Sequence, residues 1–283
     1  MSDLIAAVKA ETLRLRRWPA FWVLLAAWLA LNLTFTYVFN YIAYRSGSAG
    51  RMSNGLPRDQ LLGQMLPAAV PEVFTQGMAL FGGALMLVLG ALATGSGYGW
   101  GTWKTALTQG PSRITVIGAT IVALAGTVVA LVAVVYLVDT GVAALIASSE
   151  SQSAAPAAIG RTLAGMGSAI MILAMWTLAG ALIGAAARGP ALAVGLGLVW
   201  VLVVENLLRG VASLLGALKP VTDYLPGTAA GSLAGAMRTV RAPTATPGVL
   251  DTLTATQSVA TLAAYLTAFT AMTAYLVHRR DLA

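Results

Sequence analysis

Charge vanishes from this chain for long stretches. Residues 18–44, 73–103, 114–138, 162–187 and 252–277 contain no Asp, Glu, Lys or Arg, and a shorter run, 190–204, stops at Glu205. A hydrocarbon core about 30 Å thick is crossed by roughly 20 mostly apolar helical residues. The long runs meet that length, and the shorter one meets it once Glu205 and the apolar residues after it are included. Lipid offers no partners to backbone N–H and C=O groups, so each run satisfies its own as a helix. The pattern predicts an all-α, polytopic membrane protein with six transmembrane helices. Their expected bounds are 20–44, 73–95, 114–140, 162–187, 190–208 and 252–277, with the third continuing as helix beyond the bilayer.

Composition agrees. Of 283 residues, 58% are hydrophobic and 10% charged, against about 25% charged in soluble domains. No soluble block of domain size separates the spans, so residues 1–283 read as a single transmembrane domain. Cysteine is absent, which excludes disulfides, thiolate metal sites and a cysteine nucleophile. The formal charge of +7 does not point to nucleic acid, because the basic residues are scattered among loops. Membrane lipid headgroups are their expected partners. At the N-terminus Leu4, Ile5, Val8, Leu13 and Leu15 interleave with Lys9, Glu11, Arg14, Arg16 and Arg17. That spacing predicts an amphipathic helix lying in the interface, and the apolar run after it is too long for a cleavable signal.

Three connections carry information. The polar segment 97–113 lies at one membrane face between the second and third spans. Thr102 suits the cap of a short helix over 103–109, and Gly110-Pro111 suits its end. Arg188-Gly189-Pro190 predicts a hairpin, with glycine making the turn and proline starting the next helix. Residues 209–251 divide in two. The apolar half, 211–225, has Lys219-Pro220 in its middle and predicts a short broken helix re-entering the outer leaflet before the last span. The other half, with Pro243, Pro247 and several threonines, predicts an exposed loop. An even number of spans puts both termini on one side. That side carries Lys104, Arg113, Arg188, Arg279 and Arg280 in short segments beside helix ends, which places it in the cytoplasm.

The stretch Gly101-Thr102-Trp103 to Gly110-Pro111-Ser112-Arg113 resembles the "Glu-x-x-x-Gly-Thr … Pro-Ser-Arg" signature of ABC-2 type transporter permeases. Two further pieces are similar, residues 9–18 and Tyr224-Leu225-Pro226-Gly227. The resemblance implies the membrane-spanning permease subunit of an ATP-driven ABC transporter in a bacterial plasma (inner) membrane. It implies that 103–109 is a cytoplasmic coupling helix docking on a separate ABC ATPase subunit. Thr102, Trp103, Lys104, Leu107 and Arg113 are then the coupling residues, with Trp103 and Leu107 the apolar anchors. It also implies a second permease copy, as homodimer or heterodimer, and export of an apolar or amphipathic compound such as a drug, an antibiotic or a lipid-like molecule. This chain departs from the signature at one place: the family's acid falls on Gly97.

No phosphate-cradling loop is present, since Trp103 precedes Lys104-Thr105 where that loop needs glycine. The chain is therefore expected to bind no cofactor and to be no enzyme, with ATP held by the partner. The single histidine, His278, sits beside Arg279 and Arg280 at a span end and reads as a boundary residue. Asn32, Thr36 and Asn40 in the first span, with Thr34 beside them, suit either a pathway lining or bonds between helices. Asp139 and Glu205 read first as boundary residues near outer span ends and second as pathway contacts. Gly180 and Gly184 form a close-packing pair, for use within one subunit before use between two. Two rival functions remain: an ion-coupled secondary transporter, which places ionisable groups near the midplane, and a non-transporting assembly or immunity factor.

Overall fold

The computed structural model describes residues 2–46, 56–99, 101, 103, 108, 112–239 and 247–279. Among them, every regular element is helical. The chain opens with α1 (Ser2–Arg17). Pro19 then starts α2 (Pro19–Ser46), at a position whose N–H has no helical partner anyway. A short α3 (Arg58–Gln64) leads to α4 (Val70–Gly77) and α5 (Gly83–Gly99). The Ser112 hydroxyl accepts the Thr115 N–H at 3.1 Å and caps α6 (Arg113–Ser149). There follow α7 (Ile159–Ala187), α8 (Pro190–Val199), α9 (Glu205–Leu215), α10 (Lys219–Thr222), α11 (Pro226–Ala236) and α12 (Ala255–Arg279).

Among the described residues, five helices are long and apolar enough to cross a membrane: α2, α6, α7, the α8–α9 run over Pro190–Ala212, and α12. They coincide with five of the expected spans. The remaining one, at 73–95, differs. A π-helical turn at Met78–Gly82 divides it, and its apolar α-helical part, α5, has 17 residues. At 1.5 Å per residue that part is about 25 Å long, short of a full crossing by itself. Two more π turns lie within α2 at Thr34–Val38 and between α8 and α9 at Trp200–Val204. Such turns insert an extra residue into the helical ladder and recur at functional sites.

The bundle is built around α7. Of its most apolar window 61% is buried, against 17% in α2 and 11% in α12. A helix apolar all round is either a core helix or a membrane span, and the outward faces of α2 and α12 suit lipid. Against α5, α7 packs at backbone distance. A Cβ on Gly90 would collide with the Thr177 carbonyl, and one on Gly180 with the Leu87 carbonyl. Gly184 leaves room for the Thr94 side chain, whose hydroxyl donates to Ala181 O at 2.9 Å. The Gly180/Gly184 pair thus serves packing inside the chain. Trp28, Phe74, Met78, Met86, Leu89, Ile172 and Leu173 fill the surrounding core.

The helix expected at the N-terminus is present as α1. Its Leu15 is buried, Arg14 donates to Ala93 O at 3.1 Å, and Leu4, Ile5 and Leu13 stay exposed beside Lys9, Arg16 and Arg17.

Two connections differ from the sequence reading. In the hairpin it is Arg188, at φ 53°, that takes the left-handed conformation closing α7, while Gly189 is extended at φ −160°. The Arg188 N–H still reaches Gly184 O at 3.1 Å, the usual closing bond of such a cap. The second difference lies before α12. The expected re-entrant piece at 211–225 is mostly exposed, with Leu214 at 85% and Val221 at 67%. The buried helix is α11, beginning at Pro226, in which every residue from Thr228 to Gly235 is buried. Its Ala, Gly, Ser and Thr side chains are small enough to let it sit against α12 and α4. The chain returns along it, with Leu250 N–H donating to Gly231 O at 3.0 Å and Leu253 N–H to Ser232 Oγ at 3.2 Å.

Candidate functional site

Of the segment that resembles the coupling signature, Trp103 is seated at one end of the bundle. Its indole is 5% exposed, stacks on Tyr98 with ring centroids 5.7 Å apart, and donates to Thr94 O at 3.2 Å. Val116, Ile117, Ala185 and Val277 complete this cluster, so α5, α6, α7 and α12 all meet there. Arg113 donates to His278 O at 3.4 Å and ties the start of α6 to the end of α12. The resemblance implies Trp103 as an apolar anchor for a partner; within this chain its indole faces inward, against the ends of the helices. The glycine at 97 has its physical reason here: a Cβ at Gly97 would run into the Trp103 indole, so the absence of a side chain makes room to seat the ring. Thr102, Lys104 and Leu107 lie outside the described residues.

The candidate pathway residues separate into two places. Asn32, Thr36, Asn40 and Asp139 come together. Asn32 Nδ2 donates to Asp139 Oδ1 at 2.6 Å, and Thr36 Oγ1 donates to Asn32 Oδ1 at 3.4 Å. Asn40 Nδ2 donates to Thr36 O at 2.8 Å, continuing the stripe one turn further along α2. The Tyr37 hydroxyl donates to Asp139 O at 3.3 Å. Asp139 is 0% exposed and Asn32 2%. Asp139 Oδ2 is buried with no hydrogen-bond partner, and among the described residues no cation pairs with it. This corrects its reading as a boundary residue in reach of water. Period and composition place Asp139 along α6, but only the packing of α2 and α4 over it removes the water.

Glu205 is also buried, at 1%, and is a second correction of the same kind. It stands apart from Asp139, directly after the third π turn, and its Oε1 accepts the Gly227 N–H at 2.7 Å. A carboxylate at a helix N-terminus satisfies an orphan donor and complements the helix dipole. Glu205 therefore pins the start of α11 to α9.

Sequence reasoning missed three features. The first is an apolar groove of about 860 Å³ between α7, α8 and α12, lined by Trp176, Ile183, Leu196, Trp200, Phe269 and Met272. Among the described residues no charged side chain lines it. The second is α11 itself, whose signal was the uncharged run of small residues between Asp223 and Arg238. The third is a polar knot at the opposite end from Trp103. There the Tyr41 and Tyr44 hydroxyls donate to Glu150 at 2.8 and 3.0 Å, Arg45 lies 3.3 Å away, and Arg58 sits 4.7 Å over the Tyr44 ring. The bonds from Tyr41 and then Tyr44 hold the Glu150 carboxyl below its usual range, against the opposing effect of burial. Beside this knot Glu72 accepts the Thr239 N–H at 3.0 Å and faces Arg161 at 3.7 Å.

No protein-family model matches the chain, and no curated protein matches it.

Proposed function

We propose that this chain is the membrane-spanning permease subunit of an ABC-2 type transporter, exporting an apolar or amphipathic compound at the expense of ATP bound by a separate ATPase subunit. In this reading the chain crosses a bacterial inner membrane six times with both termini in the cytoplasm, and works as a pair of permeases. The observation that carries it is the placement of the signature-like segment. The segment is anchored by Trp103 where α5, α6, α7 and α12 meet. A push on it from outside the membrane reaches four helices at once. The sixth crossing is supported by residues 70–99, which run as α-helix, π turn and α-helix without a break. At 1.5 Å per residue they extend about 45 Å, enough to span. The apolar groove supports an apolar cargo, since sites of about 300–1,000 Å³ hold drug-sized ligands.

The test exploits the inward turn of Trp103. Lys104→Glu combined with Leu107→Asp alters the coupling segment without touching the anchor. At equal membrane expression, co-purification of the ATPase should weaken by about 2 kcal/mol or more, roughly 30-fold in affinity. Unchanged co-purification and unchanged ATP-driven export would remove this segment from the coupling role. An ion-coupled transporter is the second reading, and one observation favours it: the buried, unpaired carboxyl of Asp139. Transport that continues without any ATPase and collapses with the ion gradient would decide for it.

A further inference from the structure

We propose that Asp139 is a proton-binding site, sealed between α2, α4 and α6, whose ligand is one proton on Oδ2. The inference stands on geometry and holds under either reading of the transporter. The carboxyl has two oxygens with unequal surroundings. Oδ1 accepts the Asn32 amide at 2.6 Å, and Oδ2, buried, meets no donor. A carboxylate in so dry a place needs several donors or a cation, and one amide supplies neither. The neutral acid costs less: its carbonyl oxygen accepts from Asn32, Oδ2 carries the hydrogen, and what is left unpaired is a neutral hydroxyl instead of a charge.

The surroundings fix this arrangement. The Asn32 amide cannot turn freely, because its Oδ1 already accepts from Thr36 and lies 2.8 Å from where a Cβ on Gly77 would stand. Only glycine at that place admits the amide. The titratable group in contact with Asp139 is the Tyr37 phenol of α2, whose hydroxyl donates to Asp139 O at 3.3 Å; Tyr136, one turn before Asp139 on α6, donates its hydroxyl to Thr162 Oγ1 at 3.3 Å. From α4 the site receives Gly77; the one acid of that helix, Glu72, is engaged by Thr239 and Arg161. α7 and α12 also pack on α6, and neither carries a charge within 162–187 or 255–277; the charged α1 packs on α6 as well, with Leu4 approaching Gly118, about six turns before Asp139. Nor do the neighbours form a cation cage: among the described residues no group of three metal-binding side chains is found.

The site also sits beside two π turns. The π turn of α2 begins two residues after Asn32, and the π turn before α5 begins one residue after Gly77. Their rings touch, Phe35 against Phe81 with centroids 5.0 Å apart. Separation of α2 from α6 there breaks the Asn32 bond, admits water and lets the proton leave Oδ2 for that water. Closure takes a proton back from water. One proton is bound and one released per cycle of opening, with no other group oxidised, reduced or cleaved.

The experiment is carbon-13 magnetic resonance of protein labelled at its six aspartates, in lipid nanodiscs. At neutral pH one aspartate carboxyl resonance should stand at the protonated position while the other five are ionised. It should vanish from the aspartate spectrum in Asp139→Glu and in Asp139→Asn, of which either suffices if the other does not fold. A spectrum with all six carboxyls ionised at neutral pH overturns the proposal, as does a protonated signal that survives both variants. A resonance that responds to sodium concentration at fixed pH, rather than to pH, overturns it in favour of a cation site.

Discussion

Gly97 and Trp103 form one unit. The glycine has no side chain because the indole occupies the place, and the indole stays because it has a hydrogen bond, a stacking partner and a cluster of apolar neighbours. Gly97→Glu, which places an acid where the resembling signature has one, is therefore expected to expel the ring. Intrinsic fluorescence should shift to the red, and stability should fall by about 1–3 kcal/mol, the range for overpacking. An unshifted emission would mean that the ring does not rest on position 97. Gly180→Val tests a tighter contact. Its side chain would meet the Leu87 carbonyl on α5, and a backbone yields less readily than a ring. The loss should exceed that of Gly126→Val, whose Cβ meets nothing within 4 Å, when both are compared by thermal unfolding in detergent.

At the scale of elements, what is legible in the sequence follows from the solvent. Charge-free runs mark α2, α6, α7, α8–α9 and α12, because lipid punishes charge wherever it lies along a span. Interleaved leucines and arginines mark α1 for a related reason, since an interface sorts the two faces. The π turns leave no such trace. They change the ladder of hydrogen bonds, while hydropathy stays level through Thr34–Val38 and Trp200–Val204. Nor does hydropathy report who stands beside whom. Asp139 reads as a boundary acid until Asn32 and Tyr37 are laid over it, and α11 reads as loop until its small residues are seen in contact with α12. Two predictions belong to this scale. Glu205→Gln keeps an oxygen for the Gly227 N–H, whereas Glu205→Ala leaves that donor without its partner. The alanine variant should be less stable than the glutamine by about 1–2 kcal/mol, and equal unfolding temperatures would deny the carboxyl its role at α11. Glu150 gives the second. Its carboxyl is held low by the tyrosines, so it binds protons more weakly folded than unfolded. Its stabilising effect is full above the ordinary carboxylate range and disappears as pH falls through the lowered folded value. Glu150→Gln should flatten the acid limb of unfolding temperature against pH, and Tyr41→Phe should do so partly. An acid limb unchanged by both would show that the knot is silent.

The whole molecule places its two kinds of polar machinery at opposite ends of an apolar bundle. Trp103, Arg113 and His278 gather at one end, and Glu72, Glu150, Arg45 and Arg161 at the other. If the first end is cytoplasmic, the cysteine-free chain offers a direct check. A single cysteine at Ser153 should react with an impermeant maleimide in intact cells, and one at Arg188 only after the membrane is opened. The reverse pattern would invert the orientation. The coupling reading, however, is decided by composition of the complex. The proposed function requires a pair of these chains, each bound to an ATPase subunit. Native mass measurement, after mild extraction from cells that also make the ATPase, should give two 29.0 kDa chains with two ATPase subunits. A fully expressed 29.0 kDa chain that leaves the membrane with no ATPase bound would contradict it.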